Sequence, residues 1–446
     1  MSLKAGIQSA RSYLTILIGF LIGFAIVLWV EHKMPKRVET TDSIVLNAHF
    51  PPLPDSRDLT FDEAVWARIA WQYFVDNTQP GGLVNAENGR PWLSLWHTGS
   101  YLLAVISARQ LHVIEDAEFD RRIAAALTAL TALPVQADGL PAAFYHADSL
   151  LPIAQATSEN VSAVDMGRLL MPLQILLWRY PQHAAAVNTL LAKWPLAALL
   201  RSSGQQSASL PVNRWVLRTN DPRSSYGYRL YAANTLRLIN SAASLAVTQP
   251  PDGLKMIEID GYTVPDEGLR TPWGQQPALV SLPYLLTGLE QGWDARSGEI
   301  AWRIMQILQQ RTGTPDARDD IQTDYAEQAP DFVAAQPGNQ PLPEPMQMGS
   351  GSAALPTQAL ISTRSAFAWY ALFRTGWSDA LRQKMLPMIA PGKGWRAGFN
   401  QDGSVSDVIN ADTNAMVLES LSYLVHGPLL CLGCLAPAPA PERNKE

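Results

Sequence analysis

At 446 residues, with 47% hydrophobic and 17% charged residues, the chain is long enough for one large core or two ordinary ones and has a globular composition. A net charge of −6 and the lack of any Lys/Arg run exclude a nucleic-acid partner of the usual kind, which calls for a basic face. Fourteen tryptophans against eleven phenylalanines suit a surface that stacks on sugar rings or a helical core, the core being the commoner use.

The first predicted element is residues 12–30, SYLTILIGFLIGFAIVLWV, nineteen residues without a charge. As a helix it is about 28 Å long, close to the hydrocarbon thickness of a bilayer. The run exceeds a signal-peptide core, and Trp29-Val30-Glu31-His32 offers no small-residue cleavage site. It reads as an uncleaved single-pass anchor, with residues 1–11 a short cytoplasmic tail and the body exported to the periplasm. Basic residues flank both sides, but a long domain can be translocated despite nearby positive charge. Residues 31–58 carry Pro, Asp and Thr without periodicity and read as a linker.

From residue 59 helical periodicity dominates. It predicts helices over 61–77, 95–111, 116–133, 162–180, 183–200, 226–246, 277–291, 297–311, 363–374, 378–389 and 412–425. A single β-hairpin is expected at MIEIDGYTV (256–264), where Asp-Gly separates alternating β-formers. Residues 313–360 form the longest non-periodic stretch. A loop of that length is usually functional or disordered, and it is expected over one mouth of the domain. Cys431 and Cys434 form C-L-G-C before an Ala-Pro tail (431–446). They are an incidental pair or a small local disulfide, and with His426 they fall short of a structural zinc site. The helices, one hairpin and short connections predict one all-α domain over 59–430.

The stretches FDEAVWARIAWQYFVDNTQPGGLVNAENGRPWLSLWHTGSYLLAVISARQL, SAVDMGRLLMPLQIL, YGYRLYAANTL, VSLPYLLTGLEQGWD, ISTRSAFAWYALF and DTNAMVLESLSYLVHGPLL occur in that order. Together they resemble a bacterial glucoamylase-like (α/α) toroid family of unknown function, associated with exopolysaccharide loci. The resemblance implies a toroid of about eleven to twelve helices and a polysaccharide as partner, alongside exopolysaccharide synthesis machinery and the inner membrane contacted through residues 12–30. It also marks departures. His97 stands where relatives carry the acid of W-D-x-x-S, Arg229 where they carry a glutamate, and Leu282 where they read S-E-P. Asp165, Arg168, Asn414 and Glu419 match.

Glycoside hydrolysis uses two carboxylates, one acting as acid and one as base or nucleophile. The candidates are Asp165, which also fits a capping box begun by Ser162, and the adjacent Asp266 and Glu267 after the hairpin. Asp319, Asp320 and Asp324 lie in the long loop, Asp402 suits a turn, and Glu419, inside an apolar helix, suits a buried hydrogen-bonded role. Trp92, Trp96, Trp273 and Trp395 at helix ends or in loops are candidates for sugar stacking, with His97, Arg168, Tyr228, Arg229 and Asn414 as further substrate-binding groups. Trp92 and Trp96, four apart, would share a helix face. Trp66, Trp71, Trp178, Trp302 and Trp369 are expected in the core. At a helix start His97 should be neutral, because the positive dipole end disfavours an imidazolium. With no phosphate-binding loop, HExxH motif or nucleophile elbow, neither metal nor cofactor is indicated. The expected function is glycan handling by a glycoside hydrolase or transglycosylase. The alternative is a catalytically inactive glycan-binding or scaffold subunit of an exopolysaccharide synthesis and export system.

Overall fold

The computed structural model describes residues 16–25, 36–38, 53–153, 163–203, 214–217, 226–239, 256–266, 269–271, 274–276, 279–312, 361–400 and 403–432. Its body holds eleven α-helices among these residues: α1 Phe61–Asn77, α2 Leu95–Gln110, α3 Asp116–Ala132, α4 Ala163–Arg179, α5 Ala184–Lys193, α6 Tyr226–Ile239, α7 Leu282–Leu286, α8 Ala295–Thr312, α9 Thr363–Phe373, α10 Gly376–Lys384 and α11 Ala411–His426. The predicted helices match these in most places. The main differences are at 183–200, which ends in a 3₁₀ turn over Leu196–Leu199, at 277–291, where α7 runs into a π turn over Thr287–Gln291, and at 378–389, where α10 ends at Lys384 and a 3₁₀ turn and strand follow; residues 240–246 lie outside the described residues. Residues 16–25 are helical and exposed, and no described helix is long and apolar enough to cross a membrane. The rest of 12–30, the loop 313–360 with Asp319, Asp320 and Asp324, and Ser162, Glu267, Trp273, Asp402 and Cys434 lie outside the described residues. Cys431 is disulfide-bonded.

Six helices close a ring, in which α2 packs on α4, α4 on α6, α6 on α7, α7 on α9, α9 on α11, and α11 back on α2. The others form an outer layer: α1 lies on α11 and α2, α3 on α2, α5 on α3 and α4, α8 on α7, and α10 on α9. Sequence pattern decides the layer. Every residue of α2 from Leu95 to Ala108, of α4 from Ala163 to Leu176 and of α11 from Ala411 to Leu424 is buried. A helix apolar on all sides has no face to offer water and goes inside. By contrast α3 buries the stripe Phe119, Ile123, Ala126, Leu127 and Leu130, so it can only cover the ring.

The inner helices approach closely at glycines. A Cβ on Gly99 would lie 2.7 Å from the Arg168 carbonyl oxygen, and one on Gly167 2.6 Å from Ala232 Cα. Outside the ring, Glu63 closes the capping box of α1 with Thr60. Its carboxylate also takes Arg57 at 2.6 Å and Arg382 at 2.5 Å, tying the N-terminal approach and α10 to α1.

The expected hairpin is present, with Met256–Ile259 antiparallel to Tyr262–Pro265 across Asp260 and Gly261, both at positive φ. It is not the only β-structure. Strand pairs also join Trp92–Ser94 to Phe144–His146, Ile361–Ser362 to Gly398–Phe399, and Ile389–Ala390 to Gly394–Trp395, among others. Strands of two to four residues are too short to carry a readable alternation. Of the expected core tryptophans, Trp66, Trp71 and Trp369 are buried, but Trp178 is 55% exposed, because it falls on the outward face in the last turn of α4.

Candidate functional site

Inner helices α2, α4, α6, α9 and α11 meet around buried charged groups that apolar helices must enclose and satisfy. Arg168 of α4, 2% exposed, is the hub. Its guanidinium bonds Glu290 on the π turn and Glu419 of α11 at 3.1 Å. It also reaches Ser100 and Tyr231 at 3.3 Å and lies over the Trp96 ring, 5.3 Å from its centroid. The Tyr231 hydroxyl donates to the second Glu290 oxygen at 2.6 Å. Burial pushes Tyr231 up to about 12 and raises Glu419, and the Arg168 charge only partly offsets the latter. π turns inside helices often mark functional positions, and this one aims Glu290 into the ring.

A second cluster stands beside the first. Ser94 caps α2: its Oγ accepts the His97 amide at 3.3 Å and lies 2.6 Å from His97 Nδ1. This contact fixes the imidazole with Nε2 facing Asp412. Asp412, in the first turn of α11, has Oδ2 3.6 Å from His97 Nε2 and 3.7 Å from Arg364 Nη1. It is 3% exposed. Burial opposes its ionisation, but the fields of His97 and Arg364, then a Ser100 hydrogen bond and the field of Arg168, outweigh that and hold the carboxyl below the ordinary aspartate range.

The loop between α1 and α2 lies on this cluster. It is pinned to the start of α11 by Asn88 N–H donating to Ile409 O at 2.9 Å and Ala411 N–H to Ala86 O at 2.9 Å. It carries Glu87, half-buried and paired with Arg90 at 3.3 Å. Burial raises the Glu87 carboxyl, while Arg90 and then His97 pull the other way without cancelling it. Glu87 and Asp412 are therefore two carboxyls, both within the field of His97, with their proton affinities pushed apart.

The expected residues divide. Trp92, Trp96, His97, Arg168 and Tyr228 come together: Trp92 is edge-on to His97 at 5.2 Å, and Trp96 edge-on to Tyr228 at 5.9 Å. Trp92 and Trp96 do not share a helix face, because Ser94 starts the helix and leaves Trp92 in the preceding strand. Asp165 is buried one turn before Arg168, and Arg229 is half-buried in the first turn of α6. Asp266 is half-buried at the end of the hairpin, which packs on outer helix α8.

Trp395 and Asn414 are corrected from cleft to core. Trp395 is fully buried against Trp66 and Phe367 and donates Nε1–H to Trp66 O at 3.2 Å. Asn414 accepts from Trp395 N–H at 2.8 Å and donates to Trp395 O and Asn410 O, so it clamps the 394–395 strand to α11. Glu87, Glu290 and Asp412 were missed. Each stood in a recognised stretch, but Glu87 falls in the loop before Gly89, Glu290 inside a predicted helix, and Asp412 at the start of one, where an acid suits the helix dipole.

A closed ring of inner helices sheathed by outer ones, with a polar cluster among the inner helices, defines a glucoamylase-like (α/α) toroid. The chain belongs to the family described as "Protein of unknown function (DUF3131)", whose model matches residues 65–427. Among curated proteins none matches significantly. Similar solved structures include a glucoamylase candidate from Bacteroides fragilis, 14% identical with a TM-score of 0.57, covering 83% of this chain and 93% of that one. An endo-β-1,2-glucanase from Chitinophaga pinensis, in complex with sophorotriose and glucose, is 12% identical with a TM-score of 0.52, covering 83% and 94%. A β-1,2-glucanase from Parabacteroides distasonis is 12% identical with a TM-score of 0.52. It is covered over 56% of its length by 81% of this chain.

Proposed function

We propose that this protein acts on a bacterial polysaccharide as a glycoside hydrolase or transglycosylase, with Glu87 as the general acid and Asp412 as the base or nucleophile. The observation that carries this reading is the divergence of two carboxyls around His97, Glu87 raised by burial and Asp412 lowered, against its own burial, by His97 and Arg364. That division of labour is what acid–base cleavage of a glycosidic bond requires. The glycan specificities of the similar solved enzymes agree with it. Trp92 supplies an aromatic edge beside His97, Tyr228 packs on Trp96, and Asp165, one turn from Arg168, is a further carboxylate on the same inner helices. Residues 12–30 anchor the chain in the inner membrane with the toroid in the periplasm, beside an exopolysaccharide synthesis and export system.

The test is to incubate the full chain in detergent with linear β-glucans, β-1,2-glucan among them, and amino-sugar polymers, and to quantify reducing ends. Turnover that Glu87→Gln and Asp412→Asn abolish, and Asp165→Asn lowers, supports the assignment. Unchanged turnover in Glu87→Gln or Asp412→Asn refutes it. Protease accessibility of the body in spheroplasts tests the orientation. A second reading, a catalytically silent glycan-binding subunit, is favoured by one fact. Arg168 neutralises Glu290 and Glu419, so those two acids serve the scaffold. Glycan binding without turnover would decide for it.

A further inference from the structure

On the outer face, remote in sequence from the central acids, the hairpin and α8 enclose a cavity of about 260 Å³. It is lined by Gly261, Tyr262, Thr263, Glu299, Trp302 and Arg303. Drug-sized ligands occupy roughly 300–1,000 Å³, so this space takes one small ring and not a chain segment. Its chemistry is specific. Arg303 is fixed at both ends, donating Nε–H to Glu299 Oε1 at 2.9 Å and Nη1–H to the Thr263 carbonyl at 2.9 Å. The clamp sets the Glu299 carboxylate so that Oε1 is used, while Oε2 has no hydrogen-bond partner among the described residues, although Glu299 is only 2% exposed. A buried acceptor without a donor costs on the order of 1–3 kcal/mol, so a site like this calls for a donor from outside. Trp302, half-buried, packs one side on Phe373 at 5.6 Å and lines the cavity, and the Tyr262 phenol, held by Gln310 at 3.5 Å, lines it as well.

The geometry points to a secondary sugar-binding site, in which a single neutral pyranose of a polysaccharide rests against Trp302 and donates a hydroxyl to Glu299 Oε2. An indole for the apolar ring face, a carboxylate oxygen for hydroxyls and a fixed arginine beside it fit a polyol and give no pocket for a phosphate. The inference rests on reading the protein as a polysaccharide-handling one. Its role is to hold the polymer on the toroid while the central site works, raising the local concentration of chain at the acids.

The test uses the full chain in detergent, run in native gels cast with soluble β-1,2-glucan, together with turnover of a short soluble β-1,2-gluco-oligosaccharide. Glu299→Gln and Trp302→Ala are expected to weaken retention by the polymer about tenfold and to leave oligosaccharide turnover unchanged. If Trp302→Ala fails to fold, Glu299→Gln, nearly isosteric and still able to accept from Arg303, decides alone. Undiminished retention of Glu299→Gln overturns the site. Oligosaccharide turnover by a wild-type chain that the polymer does not retain overturns the site and spares the central assignment. Absence of both overturns the two together.

Discussion

Replacing Arg168 by Met is the most informative perturbation of the fold. Met keeps the length and the packing over Trp96 but removes the only cation bonded to Glu290 and Glu419 among the described residues, and both acids are fully buried. Removing one partner of a buried ion pair costs about 3–5 kcal/mol, because a charge is left in a poor dielectric. At roughly 2.1 cal/mol/K of unfolding entropy per residue over residues 65–427, that is a fall in Tm of about 4–7 °C. The sign of its pH dependence follows from the same contacts. Without Arg168, burial acts on Glu419 unopposed and raises its folded pKa further above the ordinary 4.5. A carboxyl raised on folding destabilises above its unfolded pKa, so the deficit should be small in acid and grow as pH climbs past that value. Thermal unfolding of wild type and Arg168→Met followed by circular dichroism across that range measures it. A deficit under 1 °C at neutral pH, or one that widens towards acid, would refute the buried pair.

Three further outcomes are expected. Gly167→Ala drives a methyl to 2.6 Å of Ala232 Cα and should cost about 1–3 kcal/mol in a chemical-denaturation curve, since backbone cannot yield as a flexible side chain can. Glu63, lowered to about 2 although burial opposes it, is held down by Arg57, the Thr60 amide and Arg382. Glu63→Gln should therefore be less stable than wild type above the ordinary 4.5, and the two should converge as pH falls towards 2. Turnover should follow a bell in pH, failing below the lowered pKa of Asp412 and above the raised pKa of Glu87. A rate that keeps rising through the alkaline range contradicts Glu87 as the acid.

The helices and the hairpin were legible because long amphipathic or apolar runs carry a period, and Asp-Gly marks its own turn. The layer of each helix was legible in retrospect from whether the apolar residues wrap all round, as in α2 and α11, or form a stripe, as in α3. The site was legible only in part. A histidine beside tryptophans and an arginine in an apolar helix stand out, and both belong to the cluster. Asp412 and Glu290 do not stand out, because a first-turn acid suits the helix dipole and an acid within a helix is ordinary until coordinates place it against Arg364, His97 or Arg168. Trp395 and Asn414 erred the other way. Trp395 looked like a loop residue and Asn414 was named from the resemblance, yet the backbone of a two-residue strand needs partners, and Asn414 supplies them.

The central claim, that Glu87 and Asp412 are the acid and base of a glycan-cleaving site, is tested most directly by reducing-end release from β-1,2-glucan and related polymers by the full chain and by Asp412→Asn. The account predicts release by wild type and loss of at least a hundredfold in Asp412→Asn, the scale of a single acid–base group, with the variant lower in Tm than wild type but still folded at the assay temperature by circular dichroism. Release by Asp412→Asn at the wild-type rate would contradict it.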